Sequence, residues 1–224
     1  MSYTCEFCKK EFFKESSVAV HMCEPKRRRL EQHERGVQLG FQAYLKFYEI
    51  LQGSARLKVF EDFAESPYYR AFVKWGRYCV NTRVIAPTQF MTWLLKHQKK
   101  IDRWCSDQLY TEYLTDYLLL EKLQDALERA IKHSIDWQEQ TGHPGHDMMR
   151  YGNHNTLCHD IVSGRVSPWV IYNSKSGQAL LAELNSEQIA MIWPYIDSDR
   201  WQKKFADYPA DQEYAKEILT QAGW

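Results

Sequence analysis

Four residues near the start of the chain have the types and spacing of metal ligands. Cys5 and Cys8 form a C-x2-C pair, which presents two thiolates to one ion, and His21 follows after twelve further residues. Cys23 comes two positions after His21. Thiolates and imidazoles are the usual ligands of Zn²⁺ in four-coordinate structural sites. The sequence therefore predicts a zinc site of three thiolates and one imidazole.

Apolar residues stand where a small metal-bound module needs a core. Tyr3 precedes the first cysteine by two residues, Phe12 follows the second by four, and Val18 precedes the histidine by three. With this framework, the segment resembles the C2H2 zinc-finger family over about its first 25 residues. The resemblance implies a ββα-like finger over residues 1–25 with zinc as its cofactor.

The segment departs from that family at the fourth ligand. The family places a second histidine about one helical turn after the first, whereas here Met22 and Cys23 follow. Ligands two residues apart on a regular helix point to nearly opposite sides, so the helix has to loosen or end there. Pro25 favours such an end, because it biases Glu24 away from helical conformation. Cys23 is the predicted fourth ligand, and His33 is the alternative.

Four consecutive cations follow the predicted zinc site directly: Lys26, Arg27, Arg28 and Arg29. Such a run can grip the phosphates of a nucleic-acid backbone without reading sequence. The alternative is a solvated helix start, in which Glu31 and Glu34 pair with these cations at helical spacing. Cations near the first turn oppose the helix dipole, which favours a role other than helix stability.

The finger itself has few groups suited to reading bases. In the resembling family the base-reading positions lie around the start of the helix, and here they fall on Lys14, Ser17 and Val20. One cation, one hydroxyl and one β-branched side chain match base edges poorly. Phe13, Ala19 and Val20 would instead give the finger an apolar outer surface, which is typical of docking against protein.

Composition and charge exclude several classes of protein. The chain has 29 basic and 29 acidic residues, so it is not a polycation that coats nucleic acid by bulk charge. It contains neither a long apolar run nor a signal-peptide pattern, so we expect no membrane association. Cys79, Cys105 and Cys158 are scattered singly, as in proteins of the cytoplasm or another reducing intracellular compartment.

The spacing of apolar residues after the finger predicts a mainly α chain. A long helix is expected from Pro25 to Leu51, followed by helices near 68–79 and 90–97, the second beginning at Pro87. One further face runs without interruption from Tyr113 toward Trp137.

These patterns predict four successive parts. They are a zinc finger over 1–25, a helical domain over 26–140 led by the long helix, a His-rich connection over 141–165, and a small, mostly helical C-terminal subdomain over 166–224. The one strand-like run, Pro168 to Tyr172, lies in the last part.

The segment from residue 68 to 78 mixes aromatic and basic residues, a combination that single-strand binders use for base stacking. Its aromatic residues recur at helical spacing, however, which favours burial against other helices. Its cations would then share the solvent side and offer a second phosphate-facing surface: Arg70, Lys74 and Arg77.

The His-rich connection is the other place where chemistry is conceivable. His143, His146, His154 and His159 lie among Gly, Pro, Asp and Cys residues, and they are candidates for a second metal cluster. The order His-Asp, Asn, His is weakly similar to HNH-type nucleases, but the spacing does not align and no flanking hairpin is evident. The alternative is an ordinary polar connection.

Two functions of different classes remain. The first is a zinc-binding, non-enzymatic, nucleic-acid-associated factor whose backbone contacts come from Lys14, Lys26, Arg27, Arg28 and Arg29. The alternative is a zinc-stabilised assembly or adaptor protein that binds protein and has no nucleic-acid role. A metal-dependent nuclease is a distant third, and no catalytic residue is predicted.

Overall fold

The computed structural model of the chain describes residues 2–53 and 58–224. The described part is mainly α, as predicted, and its sheet structure is one antiparallel pair, β1 (Tyr3–Thr4) and β2 (Glu11–Phe12). The chain divides into two compact units, residues 1–110 and 111–224. The finer four-part division inferred from the sequence stays a prediction.

The described residues of the first unit contain the hairpin and six helices that lie wholly within it. These are α1 (Glu15–Val20), α2 (Glu24–Leu30), α3 (Arg35–Gln52), α4 (Phe60–Glu65), α5 (Tyr69–Asn81) and α6 (Pro87–Lys96). Helix α7 (Asp107–Leu120) runs across the boundary between the units.

The helices of the second unit are α8 (Leu123–Thr141), α9 (Met148–Tyr151), α10 (His154–Val162), α11 (Pro168–Asn173), α12 (Lys175–Glu183), α13 (Ser186–Ile196), α14 (Ser198–Asp207) and α15 (Pro209–Gln221). Short 3₁₀ turns cover Glu31–His33, Ile101–Arg103 and Gly145–Asp147. In the ranges that the structure describes, no helix has the length and apolar composition needed to cross a membrane.

The N-terminal hairpin and α1 confirm the ββα-like start of the chain. Tyr3 lies opposite Phe12 across the two strands, and α1 follows directly. Helix α1 stops before His21, whose backbone is extended at ψ 124°. Pro25, which we expected to end the finger helix, instead lies in the first turn of α2, where its missing N–H is not needed.

The long helix predicted from Pro25 to Leu51 is two helices. Helix α2 ends at Leu30, a 3₁₀ turn follows, and Glu34 is extended with ψ 131° before α3 begins. The Glu34 carboxylate accepts hydrogen bonds from Arg77 at 2.7 and 2.8 Å. This partner lies 43 residues away in sequence, so the periodicity of the segment could not reveal the break.

The predicted helices around 68–79 and 90–97 are confirmed as α5 and α6, with Pro87 in the first turn of α6. Phe72, Trp75 and Cys79 are buried, as their spacing predicts, but Tyr69 is buried in place of Tyr68. Tyr69, Phe72 and Trp75 therefore belong to the core, whereas Tyr68 is exposed.

Helices α3 and α5 cross at unusually close range because glycines line the crossing. A Cβ atom at Gly76 would lie 2.0 Å from the backbone oxygen of Gly36, and one at Gly40 would lie 2.8 Å from that of Phe72. No side chain fits between backbones at such distances. Beside this crossing the Phe72 and Trp104 rings pack edge to face, with centroids 5.9 Å apart.

The continuous helix predicted from Tyr113 toward Trp137 is also interrupted. Helix α7 ends at Leu120, and α8 begins at Leu123 after Lys122, which is extended with ψ 142°. The Glu121 side chain between them is completely buried. Burial raises the pKa of this carboxyl. Ser167 and Arg129 contact its two oxygens, and Tyr117 lies near them.

The contacts of Glu121 show why the helix breaks here. The Ser167 hydroxyl donates to its Oε1 at 2.8 Å, and Arg129 Nη2 lies 2.7 Å from its Oε2 as an ion pair. Arg129 Nε also donates to the carbonyl oxygen of Gly164 at 2.6 Å. The buried carboxylate therefore joins the start of α8 to the segment before α11.

The strand predicted from Pro168 to Tyr172 is wrong, since these residues belong to helix α11. The Ser167 hydroxyl accepts from the backbone N–H of Trp169, and proline suits the first turn. The segment is buried almost throughout, so it lacks the apolar-polar alternation that distinguishes helix from strand. Trp169 packs on Trp201 and Phe205 at centroid distances of 5.9 and 5.2 Å.

Replacing Gly76 by alanine tests the α3–α5 crossing. An alanine in an open helix position would stabilise it by up to about 1 kcal/mol. Here we expect a loss of about 1–3 kcal/mol in the free energy of unfolding, because the new methyl group meets backbone that cannot move aside. Urea denaturation measures the change, and a stabilised Gly76→Ala variant would contradict the close crossing.

Replacing Arg129 by methionine tests the buried ion pair. The single change leaves the Glu121 carboxylate buried without its cation, so we expect a loss of about 3–5 kcal/mol. The double variant Glu121→Met/Arg129→Met removes both charges and should unfold at a higher urea concentration than Arg129→Met alone. Equal midpoints for the two variants would show that Arg129 does not compensate the charge of Glu121.

Candidate metal centre

The predicted ligands converge at one point in the first unit. The side-chain ligand atoms of Cys5, Cys8, His21 and Cys23 all lie within 4.8 Å of one another. Cys5 Sγ lies 3.9 Å from Cys23 Sγ, and Cys8 Sγ lies 3.3 Å from His21 Nε2. Residues 18 positions apart in sequence are therefore brought to one centre.

The two shortest of these separations are close to those of a tetrahedral four-coordinate site. Metal–sulfur bonds of about 2.3 Å at tetrahedral angles place two sulfurs about 3.8 Å apart, and a shorter bond to nitrogen brings sulfur and nitrogen to about 3.6 Å. The observed distances of 3.9 and 3.3 Å are close to these values. The four side chains could therefore hold one metal ion.

Local structure places each ligand. Cys5 and Cys8 lie in the turn after β1, which is closed by hydrogen bonds from Cys5 N–H to the Lys10 carbonyl and from Lys9 N–H to the Cys5 carbonyl, both 2.9 Å. The ring of His21 packs against Phe12 with centroids 4.8 Å apart. Because α1 ends at Val20, the direction of the Cys23 side chain is not set by helical geometry.

Cys23 reaches the centre from the residue just before α2. Its backbone is extended, with ψ 164°, so the two ligands on either side of Met22 can face the same point. His33, the alternative fourth ligand, is exposed and outside the group, and its Nε2 lies 3.1 Å from the Gln32 amide nitrogen. The structure thus brings the predicted ligand set together and leaves His33 out.

The thiols differ in their environments. A hydrogen bond from the Cys8 backbone N–H lowers the pKa of Cys5, which favours the thiolate that binds metal. Desolvation raises the pKa of Cys23, and the neighbouring Cys5 and Cys8 sulfurs raise it further. A bound cation would offset this mutual repulsion, because metal ions deprotonate the thiols that coordinate them.

The four cations that follow the site contact other groups of the same chain. Lys26 Nζ donates to the carbonyl oxygen of His21 at 3.2 Å, directly behind the ligand. Arg27 pairs with Glu24 and, at 4.0 Å, with Glu31. Arg29 pairs with Glu61 of α4.

Arg28 is the most buried of the three arginines in the run. Its guanidinium lies 4.4 Å from the centroid of the Tyr69 ring, donates to the carbonyl oxygen of Ala64 at 2.5 Å and pairs with Glu24 at 3.2 Å. The expected pairing of Arg27 with Glu31 is confirmed, whereas Glu34 pairs with Arg77 instead. The run thus ties the finger and α2 to α4 and α5.

The outer face of the finger is apolar and exposed. Phe13 is 95% exposed and Val20 is 82% exposed, and Ala19, which precedes Val20 in α1, is exposed as well. Met22, which stands between two of the candidate ligands, is a further exposed apolar residue of the finger, at 57% exposure. Lys14, at the start of α1, is exposed as well.

The His-rich segment does not form a second centre among the residues that the structure describes. His143 lies between the rings of Trp137 and Tyr151, with centroids 6.0 and 5.9 Å away. His154 Nε2 lies 3.4 Å from the Glu183 carboxylate. The remaining two candidates stand apart: His146 faces Asp147 at 3.8 Å, and His159 is exposed on α10.

The chain matches no protein-family model, no curated protein and no solved structure. The resemblance to zinc fingers therefore depends on the ligand spacing, the apolar framework and the convergence of the four ligands.

The ligand set predicts the metal stoichiometry of its variants. We expect the chain to bind one zinc ion, and Cys23→Ser to weaken binding by about a hundredfold or more, since one of four bonds is lost. His33→Ala and Cys158→Ser, which change residues outside the group, should bind like the parent. Competition with a chromophoric chelator measures all four, and a loss in His33→Ala as large as that in Cys23→Ser would overturn the assignment.

Proposed function

We propose that Cys5, Cys8, His21 and Cys23 hold one structural zinc ion and that the chain is a zinc-stabilised protein-interaction protein. The observation that carries this proposal is the exposed apolar face of the finger, seen together with a basic run whose arginines already have acidic partners. The proposal favours the interaction function over gripping of nucleic acid by that run.

The ligand set supports a structural role for the ion. Three cysteines and one histidine fill the four positions of a tetrahedral zinc site, whereas catalytic zinc keeps one position open for water or substrate. Thiolates also have to stay reduced to bind metal, which supports placing the protein in the cytoplasm or another reducing intracellular compartment.

The partner surface consists of Phe13, Val20 and Met22. A free phenylalanine side chain at 95% exposure gains much when a partner covers it, because burying such a side chain is worth about 1.5–3 kcal/mol. Residues 1–25 carry three lysines against four glutamates, so the formal charge of the finger is close to zero. We therefore expect a protein partner that offers an apolar pocket rather than a charged surface.

Site-specific photo-crosslinking tests this surface in the full chain. Benzophenone side chains at positions 13 and 20, introduced in cells that produce the protein, should crosslink to the same protein, and one at Tyr214 should not. Tyr214 is a matched control because it is an exposed aromatic residue of the second unit. The captured protein is then purified and its affinity for the parent chain measured.

Variants of the purified chain decide the outcome. Phe13→Ser should weaken binding of the captured protein by about tenfold or more, Tyr214→Ser should leave it unchanged, and Cys8→Ser should weaken it because the finger loses its metal. Equal affinities of the parent, Phe13→Ser and Cys8→Ser would refute the proposed surface. A crosslink to a second copy of this chain would identify the partner as itself.

Nucleic-acid association is a second candidate, favoured by a groove between α2 and α5. The cations that line this groove come from the two basic segments noted in the sequence. Arg27 belongs to the run of residues 26–29, and Arg70, Lys74 and Arg77 belong to α5. We expect weak binding that shows little sequence preference and falls steeply with salt. Anisotropy titrations with labelled single- and double-stranded oligonucleotides at low and near-physiological salt test this, and no binding at low salt would exclude it.

A further inference from the structure

We propose that the groove between α2 and α5 is a binding site for a phosphate group, with Tyr69 as a buried hydrogen-bond donor. The groove has a volume of about 470 Å³, within the range of small-ligand sites. This inference rests on nucleic-acid association, the second function proposed above. It names the chemical group that would be bound and the residues that would bind it. In this part of the chain the tertiary fold assembles donors that are far apart in sequence.

The cations line two walls of the groove. Arg27 comes from α2, and Arg70, Lys74 and Arg77 follow one another at helical spacing on α5. Planar guanidinium groups bind phosphate oxygens through two parallel hydrogen bonds, and an ammonium group binds them as a point charge. Donors converging from two helices can therefore surround one phosphate.

Two carboxylates also line the groove, but its four cations have more hydrogen-bond donors than these carboxylates occupy. Glu24 and Glu31 line it, and they pair with Arg27, Arg70 and Arg77. The Arg70 side chain is 78% exposed, so its 3.4 Å pair with Glu24 is readily exchanged for an anionic ligand.

Lys74 is the most available cation of the groove. Across residues 2–53 and 58–224, no carboxylate lies within ion-pair distance of it. Arg28, stacked on the Tyr69 ring, adds a further positive charge behind the groove wall. The local field therefore favours an anion in a chain whose formal net charge is zero.

Tyr69 is the second, independent sign of a ligand. It lines the groove and is 4% exposed, and its hydroxyl has no hydrogen-bond partner within the described part of the chain. Buried hydroxyls are normally paired, and this one lies among the charges of Glu31, Arg28 and Arg77, so an unpaired donor beside these two cations points to an anionic acceptor. Desolvation raises the pKa of Tyr69, so this group stays a donor at neutral pH.

The shared chemistry is a phosphate group, and it has two sources. One is the phosphodiester backbone of a nucleic acid, and the other is a free phosphate or phosphate monoester. The groove is open, so a phosphate within a longer chain can enter as well as a free one. Inorganic phosphate and a labelled single-stranded oligonucleotide serve as the two probes.

The experiment uses the zinc-loaded full chain and three variants. Tyr69→Phe removes the hydroxyl but keeps the ring on which Arg28 stacks, and Lys74→Gln removes a charge without breaking an ion pair. Lys96→Gln, on the exposed end of α6, is the matched control outside the groove. Calorimetry measures phosphate binding, anisotropy measures oligonucleotide binding, and circular dichroism confirms that each variant is folded.

We expect Tyr69→Phe to weaken inorganic phosphate binding by about tenfold, as for the loss of a hydrogen bond to a charged group. Lys74→Gln should weaken oligonucleotide binding and reduce the slope of its salt dependence by about one. Lys96→Gln should behave like the parent for both probes.

The two probes separate failure of the site from failure of nucleic-acid association. If the oligonucleotide binds but neither Tyr69→Phe nor Lys74→Gln weakens it, the groove is not the site, although nucleic-acid association stands. If only inorganic phosphate binds, and both variants weaken it, the groove serves free phosphate compounds and nucleic-acid association fails. If neither probe binds the folded parent at low salt, the inference is overturned.

Discussion

The convergence of four ligands at one point is the constraint on which the N-terminal part of the structure depends. Helices α1 and α2, all of whose residues the structure describes, bury no side chain, and Cys5 is the buried residue of the hairpin and its turn. A segment without a core cannot hold its own fold by apolar burial. Metal bonds can replace that core, because binding free energy is folding free energy in such modules.

The metal centre and the helical part of the first unit are coupled through the residues that follow the last ligand. Lys26 donates to the carbonyl of His21, and Arg28 inserts between Tyr69 and the carbonyl of Ala64. Helix α2, which follows the last of the four residues, is thereby held against α4 and α5, while Phe13 of the finger is exposed.

The same physical device interrupts both helices that the sequence predicted to be continuous. At Glu34 and at Glu121 a carboxylate leaves the helical path to meet an arginine, Arg77 in the first case and Arg129 in the second. Apolar periodicity reports the helical spacing of a segment, but it does not report where a distant partner interrupts the helix. Hence the pattern predicted helical structure in both segments but not the ends of the helices.

The sequence alone determined the ligand set, the mainly α fold and the helices α5 and α6, because each follows from short-range spacing: C-x2-C, helical periodicity and proline in a first turn. Tertiary structure decided what spacing does not encode. It made α11 a helix, left the four histidines of the His-rich segment unassembled and brought Arg27 to the same groove as Lys74. These outcomes depend on partners distant in the chain, and only folding brings such partners together.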